Sequence, residues 1–313
     1  MVEEISVLTA DDYIAPGLAI VTPDAAFPNM VLGDKSAPDW RYFRRWVDHA
    51  WYVDQRNPHI GFANRDEASI LYNSALLFAG KPCLEVGCWR GWSAAHLALG
   101  GVKLDVIDPM FADQIFAASV SDSLRAAGVA DRITLYNGAS PGAVHTLAGI
   151  AKQPWSLIFI DGDHEGDAPR QDALAAMNYA AETAMVLFHD LASPYVAAGL
   201  HAMRDAGWRT MVYQTMQIMG VAWRGEVTPV AHIPDPRIFW TLPRHLDGYA
   251  VSGWKQPAPI HNPRRPEEKT NAALQRAQRA EDDCQAALFE RQAALNHIAR
   301  LQAEIAAATA TFP

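Results

Sequence analysis

The chain has 313 residues, half of them hydrophobic and 19% charged, an ordinary globular composition with room for one full core and an appendage. Its formal net charge of -9 argues against nucleic acid or an anionic membrane surface as a partner, because binding a polyanion leaves a basic footprint. Cys83, Cys88 and Cys284 stand in no metal-ligand spacing, the acidic start Met1-Val2-Glu3-Glu4-Ile5 lacks the charge of a signal peptide, and no apolar run approaches the roughly 20 residues of a membrane span, so a reducing cytoplasm is the expected compartment.

Residues 1–63 show no clear period and are punctuated by Pro16, Pro23, Pro28, Pro38 and Pro58. Trp40, Tyr42, Phe43, Trp46, Trp51 and Tyr52 fall in and beside one expected helix. They read as an aromatic stripe packed on the main domain, as a lid over a substrate pocket, or as both. Asn64-Arg65-Asp66-Glu67 has the form of an N-cap with an acidic third position, opening a helix that stops at Gly80. The main domain, expected over 64–245, begins there.

The stretch on which that domain turns is Lys81-Pro82-Cys83-Leu84-Glu85-Val86-Gly87-Cys88-Trp89-Arg90-Gly91-Trp92-Ser93. It reads as a strand, a tight turn and a helix that ends at Gly100-Gly101. Gly87 and Gly91 let backbone approach a ligand closely, and the helix behind them directs its partly positive end toward it. Further strands are expected at Lys103 to Asp108, Ile133 to Tyr136, Trp155 to Ile160 and Ala184 to Phe188, with shorter ones near Trp208 to Tyr213 and Gly220 to Trp223. Helices lie between, one of them opening at Asp167-Ala168-Pro169. Alternation with short connections makes this an α/β chain with a mostly parallel sheet covered on both faces. A proline-rich linker is expected over 246–266. The segment 267–313 is dense in Ala, Gln, Glu and Arg, with Cys284, Ile298 and Ile305 on one heptad and Leu274, Leu288 and Leu295 on another, so a coiled-coil helix joining subunits into a homo-oligomer is expected there.

A parallel sheet gathers its strand ends along one edge, and four of these ends are polar. At the first, Glu85, Gly87 and Gly91 would hold an amino-acid or phosphate-like group. At the second, Asp108 would accept from both hydroxyls of a ribose, or would simply cap the turn before Pro109. At the last two, Asp161, Asp163 and His164 face His189 and Asp190. Asp161 and Asp190 offer oxygen to magnesium, whereas His189 suits manganese, iron, cobalt or zinc better. Such a cation would lower the pKa of a substrate hydroxyl, and His164 is the candidate base. Asp172 near a helix start reads as dipole compensation, and His59, His232 and His245 lie in loops without a further signal.

The ordered set Glu85-x-Gly87-x-x-x-Gly91, Asp108, Gly138-Ala139-Ser140, Phe159-Ile160-Asp161 and Phe188-His189-Asp190 resembles the class I S-adenosylmethionine-dependent methyltransferases. It is most similar to the metal-dependent O-methyltransferases typified by catechol O-methyltransferase, and to relatives that methylate sugars on macrolide antibiotics. The resemblance implies a Rossmann-like fold with a seven-stranded sheet whose last strand is antiparallel. It implies that Glu85, Gly87 and Gly91 flank the methionine part of the cofactor, Asp108 its ribose and Ser140 its adenine. Asp161, His189 and Asp190 fall at the family's metal ligands, and His164 at the catechol enzyme's catalytic lysine. His189 departs from the family's usual Asp-Asn or Glu-Asp pair. The expected function is O-methylation of a small-molecule hydroxyl, on a sugar, glycosylated metabolite or phenol, assisted by a divalent metal. The alternatives are an NAD-dependent oxidoreductase or hydroxylase-like enzyme on the same sheet, and a coiled-coil scaffold with a vestigial site. Trp89 stands against NAD, because it occupies a place where a dinucleotide turn needs glycine.

Overall fold

The expected cap at Asn64 forms in full in the computed structural model, which describes residues 13–253. The Asn64 side chain accepts from the Glu67 amide at 2.9 Å, and the Glu67 carboxylate accepts from the Asn64 amide at 3.0 Å, opening α1 (Arg65–Leu76). The chain then alternates as its apolar runs require: β4 (Pro82–Val86), α2 (Trp92–Leu99), β5 (Lys103–Asp108), α3 (Gln114–Ala126), β6 (Ile133–Asn137), α4 (Gly142–Ala151), β7 (Trp155–Ile160), α5 (Ala168–Tyr179), β8 (Ala180–Phe188) and α6 (Pro194–Asp205). Every residue of β7 is buried, as a strand covered on both faces must be. The remaining strands are β9 (Arg209–Tyr213), β10 (Met219–Arg224) and β11 (Ala250–Val251).

The sheet has eight strands in the order β11-β9-β10-β8-β7-β4-β5-β6. The five from β4 to β8 run parallel, and β10 is antiparallel to both β8 and β9. All seven expected strands are present, and the eighth corrects the count. Ala250 and Val251 pair with Met211 and Val212 inside what the sequence suggests is linker, so the domain continues past residue 245. The order places the ends of β5, β4, β7 and β8 side by side.

The N-terminal segment departs most from expectation. No α-helix occurs among its described residues. Instead β1 (Met30–Leu32), β2 (Tyr52–Asp54) and β3 (Asn57–Phe62) form a separate antiparallel sheet, and Trp40 to His49 run through turns. This segment belongs to the same compact unit as the main domain, which comprises residues 13–240 and 248–253. Trp92 joins the two, its indole donating to the Ala63 carbonyl at 3.0 Å and meeting Phe27 edge-on. Asp54 pairs with Arg56 and, at 3.2 Å, with Arg90 of the glycine turn. Residues 241–247 belong to a second unit and contain a 3-10 turn at Arg244–Leu246. The expected coiled coil lies outside the described residues, and among those described no helix is long and apolar enough to cross a membrane.

Candidate active site

A cavity of about 690 Å³ opens along the strand ends. One wall is the turn after β4. Gly87 has φ +84°, and a Cβ there would fall 2.0 Å from the Asp161 carbonyl oxygen, so glycine alone allows the loops after β4 and β7 to meet. Asp108 fixes the same turn. Its Oδ2 accepts from the Cys88 and Trp89 amides at 2.8 and 3.0 Å, and its Oδ1 from the Met110 amide at 2.8 Å. Asp108 thus caps the 3-10 turn that starts at Pro109, as the plainer reading has it, while also lining the cavity. Oδ1 keeps acceptor capacity for a ligand hydroxyl.

Gly87, Asp108 and Ser140 line the cavity; Glu85 and Gly91 do not. Glu85 is wholly buried, accepts from the Ser93 hydroxyl through Oε1, and has no partner for Oε2. Burial, with Asp161 and Asp108 nearby, raises its pKa well above the usual carboxylate range. Gly91, at φ +90°, starts α2 and faces Val120 and Leu124. These two residues shape the turn. Trp89, at φ +46°, lines the cavity.

The opposite wall carries the acids and imidazoles. The ends of β7 and β8 are neighbours, and they bring Asp161, His164, His189 and Asp190 together. His164 Nε2 lies 3.3 Å from Asp161 Oδ1 and 3.4 Å from Asp190 Oδ2. His189 Nδ1 lies 3.4 and 3.2 Å from the same two oxygens. Donor atoms of Asp161, His164 and Asp190 all fall within 4.8 Å of one another, a set of oxygen and imidazole nitrogen that fits a divalent cation. The expected set differs in its imidazole. His189 points its Nε2 at Glu67, 3.2 Å away, and is 8% exposed, against 28% for the His164 side chain.

Glu67 is the residue that sequence reasoning missed. Its spacing marks it as a cap, and it does cap, but the same carboxylate faces His189 and accepts from the Gln217 amide at 3.0 Å. Gln217 in turn donates to Asp190 Oδ1 at 3.0 Å. Burial alone would lower the His189 pKa, yet Asp190, Asp161 and Glu67 hold it well above its ordinary value. His164 is likewise raised against burial, by Asp190 and Asp161. Burial would raise the carboxyls of Asp161, Asp190 and Glu67, but His189 leads the groups that hold all three below the usual range. The cluster alternates acid and imidazole: Glu67, His189, the two aspartates, His164.

The N-terminal segment closes the cavity. Trp40, Phe43, Trp51, His59, Ile60 and Phe62 line it, and the Trp40 ring lies 5.5 Å from that of His164. Arg44 anchors this wall, its amide donating to Gln217 Oε1 at 2.8 Å and its guanidinium to the Thr215 and Met216 carbonyls. The loop Ile238-Phe239-Trp240 supports the wall from behind: Trp240 packs with Phe43, Val47 and Trp51, and Phe239 remains 68% exposed. Of the loop histidines, His59 reaches the cavity, whereas His232 is buried against Asp66 at 2.7 Å. Asp172 also corrects its sequence reading, for it lines the cavity.

Seven carboxylates and three imidazoles line the space, with no lysine or arginine among the described lining residues, an arrangement that disfavours anionic ligands. Residues 84–191 match a family model described as a methyltransferase domain. A search of curated proteins finds no match. Among solved structures, the chain is similar to the O-methyltransferase from Bacillus cereus in complex with SAH, at 13% identity over 52% of this chain and 83% of that one, with a TM-score of 0.45. It is also similar to the O-methyltransferase TomG from Streptomyces achromogenes, involved in tomaymycin synthesis and in complex with SAM, at 19% identity over 54% and 84% with a TM-score of 0.44. A further similar structure is cofactor-bound Rv0187 from MTB, at 20% identity over 52% and 81%, TM-score 0.44.

Proposed function

We propose that this chain, whose residues 84–191 match the methyltransferase-domain family, transfers a methyl group from S-adenosylmethionine to a hydroxyl of a small, uncharged or cationic acceptor such as a sugar, glycosylated metabolite or phenol. One observation carries the reading: the glycine turn with Asp108 and the Asp161–His164–Asp190 cluster face a single cavity. When bound, S-adenosylmethionine supplies an electrophilic sulfonium methyl group, and a divalent cation supplies a Lewis acid that lowers the pKa of a hydroxyl.

The residues present do the rest. Gly87 and Asp108 hold the turn open to the cofactor, and Asp108 Oδ1 accepts from its ribose. Asp161 and Asp190 orient the acceptor hydroxyl and would hold the cation together with an imidazole. His164 is the more accessible of the two histidines and the better placed to take the acceptor proton at Nε2. Because His164 also belongs to the converging donor set, cation binding and proton acceptance are competing uses of one nitrogen. His189, fixed between Glu67 and the aspartates, sets their orientation. Trp40, Phe43 and Trp51 exclude water and present flat apolar surface to the acceptor.

Calorimetric titration of S-adenosylmethionine into the full chain, with and without chelator, followed by a screen of sugars and phenols for methyl acceptance, tests the proposal. Saturable binding with methyl transfer to a hydroxyl is expected. Absence of cofactor binding would overturn it.

A further inference from the structure

Two turns beside the site hold backbone that their residues rarely adopt. Asp190, just past the end of β8, has φ +60°, and Ile218, just ahead of β10, has φ +64°. A β-branched residue in the left-handed region is a genuine outlier, and such a conformation persists only where its surroundings over-determine it. Here each turn fastens the other. The Leu191 amide donates to the Ile218 carbonyl at 2.9 Å, and the Ala192 amide to the Gln217 carbonyl at 3.2 Å. The Gln217 side chain completes the link by donating to Asp190 Oδ1 at 3.0 Å.

The N-terminal segment fastens both. Arg44, buried with its guanidinium 5.7 Å from the Trp240 ring, donates to the Thr215 and Met216 carbonyls at 3.0 and 3.1 Å, and its amide donates to Gln217 Oε1 at 2.8 Å. Strain in the two turns gives this linkage its character. If one anchor lets go, the left-handed residues have lower-energy conformations to fall into, so the turns relax together instead of bending by degrees. Arg44 and Gln217 both lie outside the residues that match the methyltransferase-domain model.

We infer that Arg44 and Gln217 are positioning residues for Asp190, so that the seating of the N-terminal aromatic segment and the aim of that carboxylate into the cavity form a single two-state element. The latch stands on geometry, and its bearing on methyl transfer rests on the role proposed for Asp190. Such coupling is reciprocal: a ligand that Asp190 helps to hold also holds the aromatic segment down.

Hydrogen exchange on the full chain tests the latch. Arg44→Met keeps the apolar stem and removes the guanidinium donors. Exchange at the Leu191, Ala192 and Ser193 amides is expected to quicken ~10-fold or more, with the β7 amides unchanged, even though the bonds lost end on residues 215 and 216. Gln217→Leu, which cuts the link at its centre, is expected to quicken the same amides together with that of Arg44, and serves if the first variant does not fold. Mn2+ alone, titrated calorimetrically, gives a second reading, and its affinity is expected to fall ~10–100-fold in either variant. Quickening confined to residues 213–218, or spread evenly through β7, overturns the inference, as does Mn2+ affinity equal to that of the wild type. A wild type that takes up no Mn2+ strikes the cation reading alone, and the exchange rates still decide the latch.

Discussion

The carboxyl of Asp172 should make the fold less stable as the pH rises, and Asp172→Asn should relieve that cost. Burial takes its pKa from 3.8 up to about 6, so the folded state prefers the protonated form. A group with a raised folded pKa contributes its full stability below its unfolded value and loses it as the pH climbs through the folded one. Integrating between 3.8 and about 6, the loss is ~1.5 kcal/mol by pH 5 and reaches ~3 kcal/mol at pH 8, a ceiling because cavity water solvates the ionised form in part. The isosteric amide still accepts from Ser140 and carries no charge at any pH. Urea denaturation of both proteins at pH 5 and pH 8, with equal m-values, gives the difference directly. The variant is expected to gain ~1 kcal/mol or more relative to wild type between the two conditions. A stability difference that stays flat with pH would refute the reasoning, because it would mean that the carboxyl is solvated like any surface acid.

Asp108→Ala deprives the Cys88, Trp89 and Met110 amides of their acceptor, and should destabilise the fold by about 2–4 kcal/mol while weakening S-adenosylmethionine at least ~10-fold. Unchanged calorimetric affinity would remove it from the cofactor wall. Asp161→Asn is expected to abolish cation-stimulated turnover and to lose cation binding measured by direct titration, whereas a wild type indifferent to chelator would retire the cation assignment. Glu67→Gln leaves a single oxygen for the Asn64 and Gln217 amides, which the carboxylate serves through separate oxygens, and strips His189 of a counter-charge. A stability loss of about 2–3 kcal/mol, seen as a lower midpoint in thermal unfolding, is expected, and an unmoved midpoint would show that this carboxylate holds neither the amides nor His189.

The strands of the main sheet were legible because each is a short apolar run closed by a turn or an acid, and burial on both faces leaves a signal that needs no partner to be seen. Gly87 and Gly91 were equally plain as a turn, although which of them touches a ligand depends on where Asp161, Val120 and Leu124 arrive from elsewhere in the chain. The stretch from Trp40 to Tyr52 misled because aromatic spacing alone does not distinguish a helix from turns that pack on Met216 and Trp240, residues far away in sequence. Glu67 was hidden in a different way. Its local role accounts fully for its spacing, and the second role exists only because β8 delivers His189 to it across the fold. Asp172 fell to the same cause: the hydroxyl that turns it toward the cavity belongs to another loop.

Gln217 holds the Arg44 amide with one end of its carboxamide and Asp190 with the other. A truncation that removed the chain through Arg44 would therefore do more than unroof a pocket. It would release one end of that carboxamide, and with it the restraint on an aspartate 27 residues away from Gln217 along the chain. Shortened forms of this protein are thus poor stand-ins for the whole, and the amino-terminal stretch must be retained in any fragment intended to report on turnover.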